Sequence, residues 1–257
     1  MTERVRIVTA VIVSLAWASA ALGQGLYWES KTSGAGSDVR STQSYAMPKM
    51  MKVVQPDGKV LIVRADQDKF ITIDNGARTY QEMTFAELQA AGEAMRTQMQ
   101  AAKAEMDKQM KSMSAEQRAM MEKMMPKIPG GDPAKSAVAI DKTGDTKTIA
   151  GYNCTKYVGT ENGKPVLTLW TTKDVKGFDS LRDDWLTFQK RMAGSNRGIG
   201  GTMADAYSKI EGFPMETAVG GITTEVTKVE SRSTPASEFE VPAGYKKESM
   251  QLPMPPK

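Results

Sequence analysis

The stretch Gln55-Pro-Asp-Gly-Lys59 runs directly into the apolar segment Val60-Leu-Ile-Val63, and Lys69-Phe-Ile-Thr-Ile73 then leads into Asp74-Asn-Gly76. Proline suits the second position of a tight turn, and Asp-Gly or Asn-Gly pairs between apolar runs are strong short-range signals for β-hairpins. Working outward from these turns, we predict an antiparallel meander of four or five strands over residues 26–83.

A helical pattern begins where this meander ends. Thr84-Phe-Ala-Glu87 forms a capping box, and no proline follows until Pro126. Apolar residues recur every eleven residues, which is about three helical turns and keeps them on one face. We therefore predict a Met-rich helix over residues 84–125. A straight helix of this length would overhang a compact domain, so we expect it to break near residues 112–114 into a helical hairpin or to project.

Strand patterns return after a linker at residues 126–133 that is rich in proline and glycine. An amphipathic helix is predicted over residues 178–192, because its apolar residues are spaced three and four apart. The last segment, residues 246–257, contains three prolines and is predicted to be a disordered tail. Strands are predicted over residues 146–149, 153–158, 166–170, 213–219 and 222–229, and Asn162-Gly-Lys164 is predicted to form the turn between the second and the third of these. Residues 24–245 are thus expected to form one α+β domain with a largely antiparallel sheet.

The first 23 residues have the layout of a secretory signal peptide. Arg4 and Arg6 precede an apolar run, and Ala21-Leu-Gly23 places small residues before a cut at Gln24. The alternative is a membrane anchor, which needs about 20 apolar residues; the Ala/Ser-rich second half of this run favours the signal peptide. We therefore predict a periplasmic or secreted protein that does not span a membrane after cleavage.

Composition excludes several classes of chemistry. The 257-residue chain has no His and a single Cys, which removes His-based nucleophilic triads, His metal ligands, internal disulfides and thiolate clusters. Its formal net charge is +4, and the basic residues are scattered, so we expect no nucleic-acid partner. No pair of carboxylates has a spacing that suggests catalysis. We predict a non-enzymatic protein with no cofactor, no resident metal and no catalytic residue.

Several motifs of the chain resemble those of a known group of proteins. They are Ile149-Ala-Gly-Tyr-Asn-Cys-Thr-Lys-Tyr157, a strand ending Trp170-Thr-Thr172, Gly212-Phe-Pro214 and Phe239-Glu-Val-Pro-Ala-Gly-Tyr245. Together with the hairpins above, they resemble an exported bacterial family of unknown function that is similar to the periplasmic lipoprotein carrier LolA. This resemblance implies a curved, incompletely closed antiparallel half-barrel with helices over its concave face and an apolar cavity for acyl chains. The Met-rich helix is an insertion relative to that pattern, which we expect to cover one face.

Methionine is the outstanding residue of this sequence. The chain has 19 Met, and nine of them lie between residues 95 and 125. A Met-rich helical face suits adaptable apolar binding, although the same stripe would serve simply to pack the helix on the sheet. Thioethers also select Cu(I), and exposed Met can be oxidised reversibly. The residues predicted to bind a ligand are Met95, Met99, Met106, Met110, Met113 and Trp170.

The function predicted from these patterns is that of an exported carrier for an apolar ligand, such as a lipid or the acyl chain of a lipoprotein. The alternatives are a copper(I)-handling or envelope-stress protein that uses the Met stripe, and a module that docks another envelope protein. Under the first reading we expect residues 95–125 to be a mobile lid over the concave face, because Met and Ala give little packing energy per turn. Cys154 is expected to be a buried small hydrophobe.

Overall fold

A computed structural model describes residues 23–34, 37–112, 114, 138–195 and 207–249. The predicted signal peptide, most of residues 113–137 and the end of the chain lie outside these ranges. No helix within them is long and apolar enough to cross a membrane.

Twelve strands and two α-helices make up the described chain. The helices are α1 (Phe85–Ser112) and α2 (Phe178–Ser195), and a short 3-10 helix spans Ala236–Phe239. The strands are β1 (Gly23–Gly34), β2 (Ser37–Met47), β3 (Met50–Val54), β4 (Lys59–Arg64), β5 (Lys69–Asp74), β6 (Thr79–Thr84), β7 (Ala139–Ile149), β8 (Tyr152–Glu161), β9 (Lys164–Thr172), β10 (Phe213–Val219), β11 (Ile222–Thr234) and β12 (Lys246–Lys247).

All twelve strands belong to one large curved, open sheet, in the order β12-β6-β5-β4-β3-β2-β1-β11-β10-β9-β8-β7. Neighbouring strands are antiparallel except β12 and β6, which are parallel. The two halves of the chain meet at β1 and β11, where Leu26 lies opposite Ser231. The predicted α+β class with a largely antiparallel sheet is confirmed.

The first meander has six strands, where the sequence predicted four or five. The additional hairpin joins β2 to β3 through Pro48 and Lys49. Lys49 adopts a left-handed conformation, with φ of 61°. Sequence patterns mark such a turn by glycine or asparagine. A lysine in this position therefore hid the hairpin.

The turns that carried the strand prediction are confirmed. Gly58 has φ of 81° between β3 and β4. Asn162 and Gly163 both have positive φ, at 51° and 74°, between β8 and β9. Two consecutive left-handed residues define the type I′ turn, whose twist matches that of the two strands it joins.

Helix α1 begins with the predicted capping box. The Glu87 N–H donates to Thr84 Oγ1 at 3.1 Å, and the Thr84 N–H donates to Glu87 Oε2 at 2.7 Å. The helix contacts β6 and α2. Apart from Ser114, residues 113–125 lie outside the described residues, as does the continuation of the helix past its predicted break. That the whole Met-rich segment covers one face therefore stays a prediction.

Helix α2 begins at the residue that the spacing predicted and extends three residues past the predicted end. Its first residue is Phe178, and Ser180 donates its hydroxyl to the carbonyl of Gly177 at 2.8 Å. Gly177 has φ of 88°, a conformation that few other residues adopt. The chain reverses at this glycine, so the helix starts there and Ser180 lies inside its first turn.

The two faces of the sheet are covered by different parts of the chain. Leu26 and Trp28 alternate with Tyr27 along β1 and therefore point to the opposite face. Helix α2 packs on the face of Leu26 and Trp28, which we call the helix face. Residues 235–245, which we call the strap, pack on the other face, where Phe239 is fully buried against Ile62 and its neighbours.

Arg64 fastens the strap to the sheet from the end of β4. Its guanidinium donates to the carbonyl of Phe239 at 3.4 Å and lies 3.8 Å from Glu240. Two further bonds, Nε to Oδ1 at 2.9 Å and Nη2 to Oδ2 at 2.8 Å, hold Asp66. The buried guanidinium is therefore satisfied by a carbonyl and by acidic neighbours.

Ordered structure continues past residue 245, where the sequence predicted a disordered tail to begin. The Lys246 N–H donates to the carbonyl of Arg78, and the Glu248 N–H donates to that of Tyr80. These bonds form the short parallel strand β12 on the free edge of β6. Backbone pairing of this kind leaves no hydrophobic pattern in the sequence, so the boundary could not be placed correctly.

The Arg64–Asp66 pair predicts a specific dependence of stability on pH. Hydrogen bonds from the guanidinium lower the pKa of the Asp66 carboxyl. A carboxyl with a lowered folded pKa adds stability above its unfolded pKa, about 3.9, and loses it as pH falls through the folded value. Asp66→Asn should therefore be less stable at neutral pH, and its stability should converge on the native value towards pH 2. Urea unfolding at a series of pH values measures this, and parallel curves would contradict it.

Candidate functional site

An apolar crevice lies between α2 and the helix face of the sheet, and it has a volume of about 40 Å³. Strands β1 to β4 form its floor, and one side of α2 forms its roof. Its lining is aromatic and aliphatic with three methionines: Leu26, Trp28, Ala46, Met47, Met50, Met51, Val63, Ala65, Phe178, Leu181, Trp185, Phe188 and Phe213. The backbone alternation of β1 and the helical spacing of α2 bring these side chains together.

Aromatic rings build one end of the crevice. The ring centroid of Trp28 lies 6.1 Å from that of Trp185 and 5.6 Å from that of Phe213. Phe178 lies 5.2 Å from Phe213, and the three pairs meet edge to face. This arrangement fixes the start of α2 on the sheet and leaves rigid apolar walls.

Burial decreases along α2 from its start. Phe178 and Leu181 are 5% and 4% exposed, whereas Trp185 and Phe188 are only half-buried. The first turn of the helix is therefore part of the core. Farther along, its aromatic side chains roof the crevice without being enclosed.

Among the residues that the structure describes, two charged ones line the crevice, Lys49 and Asp184. The backbone N–H of Lys49 donates to Asp184 Oδ2 at 2.9 Å. The carbonyl of Lys49 in turn accepts a bond from the Ala65 N–H at 2.8 Å. Asp184 thus ties α2 to a turn whose backbone is itself held by β4.

Of the predicted site residues on α1, Met95 and Met106 do not line this crevice. Met95 is 57% exposed, and Met106 is half-buried. The side chains of Met99 and Met110, and all of Met113, lie outside the described residues. Whether these methionines bind a ligand therefore stays a prediction.

Trp170 lies on β9 and is half-buried beside the core cluster that contains Cys154. The ammonium groups of Lys147 and Lys156 lie 4.5 Å and 5.7 Å from its ring centroid. Lys147 is also paired with Glu216 at 2.6 Å. The ring is therefore covered by paired cations, and it does not line the crevice.

Sequence reasoning missed the residues that line the crevice. Met47, Met50 and Met51 form a cluster in the sequence around Pro48, outside the helical stripe that drew attention. The aromatic spacing of α2 was recognised but was interpreted as ordinary packing. The available signal was the combination of this Met cluster with an aromatic helix face, but their proximity depends on the tertiary fold.

The single cysteine is confirmed as a core residue. Cys154 is fully buried, and its thiol donates to the carbonyl of Tyr152 at 3.4 Å. Burial raises the pKa of the Cys154 thiol. A buried, protonated thiol is a poor nucleophile.

We predict that Cys154 reacts with a thiol reagent such as Ellman's reagent only when the protein unfolds. The rate in native buffer should be lower than that in strong denaturant by about the unfolding equilibrium constant, roughly 1,000-fold or more. Measuring the release of thionitrobenzoate with and without guanidinium tests this. Rapid modification in native buffer would show that the β8 region opens locally.

Within the described parts of the chain, no group of three or more Cys, Asp and Glu residues is placed to hold a metal ion. A smaller cavity of about 10 Å³ lies on the other side of α2, beside Arg182 and Tyr207. The Arg182 guanidinium donates to the carbonyl of Ile210 at 3.0 Å. This space is about the size needed for one water molecule.

Comparison with known proteins gives a family match. A sequence profile described as "Domain of unknown function (DUF4412)" matches residues 50–245. No protein of curated function matches the chain. The matched region, residues 50–245, contains most of the residues that line the crevice.

Solved structures of similar topology share little sequence with the chain. PNGF-II is 12% identical with a TM-score of 0.37, and the match covers 89% of this chain and 31% of that protein. MucB in the Pseudomonas aeruginosa MucA/MucB complex is 9% identical with a TM-score of 0.37, and the match covers 88% of this chain and 59% of that protein. A LolA superfamily protein from Nitrosomonas europaea is 6% identical with a TM-score of 0.28, and the match covers 86% of this chain and 91% of that protein. The chain thus spans about a third of PNGF-II and about three fifths of MucB.

Proposed function

The chain belongs to the DUF4412 family, and we propose that it is a non-enzymatic binding protein for an apolar ligand, such as a lipid acyl chain, in the periplasm or outside the cell. The observation that carries this proposal is the crevice between α2 and strands β1 to β4. Its lining is apolar and aromatic apart from Lys49 and Asp184. Apolar walls with a few convergent polar groups are typical of sites for small molecules.

The size of the crevice decides how binding would occur. Its volume of about 40 Å³ is well below the roughly 300–1,000 Å³ of typical ligand sites. A ligand therefore needs α2 to move away from the sheet. The half-buried Trp185 and Phe188 make the later part of the helix the part that moves most readily, because little apolar area has to be exposed there.

The Met-rich helix has a place in the same proposal. Helix α1 contacts α2, so a ligand that displaces α2 would also shift α1. The part of α1 from Met95 to Ser112 then acts as an adaptable cover over the opened face. The exposed side chain of Met95 is available for that role.

Native mass spectrometry of protein purified from a bacterial periplasm tests the proposal. We expect a co-purifying lipid, and after its removal we expect binding of the neutral apolar dye N-phenyl-1-naphthylamine, read by its fluorescence. The decisive variant is Ala65→Trp, which fills the crevice from a half-buried position on its floor. Its affinity for the dye should fall by about tenfold or more, the loss of roughly 1.4 kcal/mol of contact.

The matched control is Ala77→Trp, which adds the same side chain in an exposed turn between β5 and β6 that does not line the crevice. It should bind the dye as the native protein does. A native protein that carries no lipid and binds no dye would overturn the proposal. Equal dye binding by both variants would place the ligand elsewhere.

A further inference from the structure

The Asp184 carboxylate occupies a position at the crevice that the carboxylate of a bound ligand could also occupy. Its carboxylate reaches the mouth of an otherwise apolar crevice and accepts a bond from the backbone N–H of Lys49 at 2.9 Å. The exposed ammonium of Lys49 belongs to the same turn. A carboxylate bound by an amide N–H beside a cation is a charge-assisted arrangement, stronger than a neutral hydrogen bond.

The backbone of Lys49 is held in this position independently of Asp184. Its φ of 61° orients the peptide outside the strand ladder, and its carbonyl is bonded to the Ala65 N–H at 2.8 Å. The donor would therefore remain in place when α2 moves away. Asp184 moves with the helix, so opening the crevice leaves the exposed N–H of Lys49 without its carboxylate acceptor.

We propose that the crevice binds a single-chain amphiphile with a carboxylate head, and that this head replaces Asp184 on the Lys49 N–H while the chain occupies the crevice. This inference rests on the proposed function and names its ligand class. The described part of the lining supplies no charged partner for a head group other than Lys49 and Asp184. A single alkyl chain suits a space roofed by one helix, and a neutral head would leave the N–H without an equivalent acceptor.

Binding of myristate and of myristyl alcohol to the delipidated protein, measured by displacement of N-phenyl-1-naphthylamine, tests this. The two probes share one chain and differ only in the head. The native protein should bind myristate about tenfold more tightly, the advantage of a charge-assisted bond over a neutral one. Equal affinity for the two probes, or displacement of the dye by neither, would overturn the inference and leave the proposed function, which the binding of the dye itself tests, standing.

Substitutions at the two charged residues separate the roles of the anion and the cation. Asp184→Ala removes both the competing carboxylate and its charge, so myristate should bind more tightly by about three- to tenfold, and the alcohol by less. Asp184→Asn, which preserves volume, should lie between. The control Asp183→Ala removes a neighbouring exposed charge and should change neither affinity by more than about twofold.

Lys49→Gln removes the ammonium and retains the backbone N–H. Myristate should bind several-fold more weakly to it, and the alcohol should bind as before. Lys31→Gln makes the same change in charge at an exposed site on β1 and should have no effect. A myristate affinity that falls in Asp184→Ala, or that is unchanged in Lys49→Gln, would contradict the assigned contacts.

Discussion

Replacing Phe239 with alanine should lower the free energy of unfolding by about 3–5 kcal/mol, the usual cost of emptying a fully buried aromatic site. Phe239 is completely buried although it lies in a 3-10 helix of only four residues. It packs with Ile62, Ile71 and Ile73 in the core between the strap and the sheet. Guanidinium unfolding followed by circular dichroism measures the loss.

Val241→Ala is the control for this substitution, because Val241 belongs to the same strap but is only partly buried. It should cost about 1 kcal/mol, the value of the lost methyl groups. A loss near 1 kcal/mol for Phe239→Ala as well would show that the strap unfolds separately.

Gly212→Ala should destabilise the protein by about 3 kcal/mol or more, because it combines backbone strain with a direct clash. Gly212 has φ of 84°, and an added Cβ would clash with the carbonyl oxygen of Thr172. That oxygen belongs to the backbone of β9 and cannot move without disturbing the pairing of β9 with β10. Thermal or denaturant unfolding gives the difference.

Gly151 offers a matched comparison at the same backbone angle. Its φ is also 84°, but an added Cβ would meet nothing within 4 Å. Gly151→Ala should therefore show the backbone cost alone, about 1–2 kcal/mol. Equal losses in the two variants would contradict the close approach of Gly212 to β9.

Local sequence signals were sufficient for many elements of this protein. Asn162 and Gly163 specify their turn because both residues tolerate positive φ, and Thr84 with Glu87 specifies the start of α1 through hydrogen bonds three residues apart. The apolar spacing of α2 likewise required its helix. Each of these features depends on contacts between residues a few positions apart, so it can be predicted from the sequence alone.

The candidate site was decided by tertiary structure. The crevice joins Trp28 on β1 to Trp185 on α2, two residues separated by more than half the chain. Their meeting requires β1 to pair with β11, an alignment that no local pattern encodes. A helix that only packs on a sheet has the same amphipathic spacing as one that lines a binding site, and the sequence of α2 was interpreted as packing.

The sequence by itself determined the α+β class, the hairpins of the meanders and the start of the Met-rich helix, because hydrogen-bonding and steric preferences of neighbouring residues fix them. Only the tertiary structure decided which helix roofs the apolar face, that Phe239 seals the other face, and that the Lys49 N–H meets Asp184. These contacts join segments more than 100 residues apart. They form because the apolar faces of the whole sheet must be buried. A sequence pattern shows which residues are apolar, but it does not show which residues they contact.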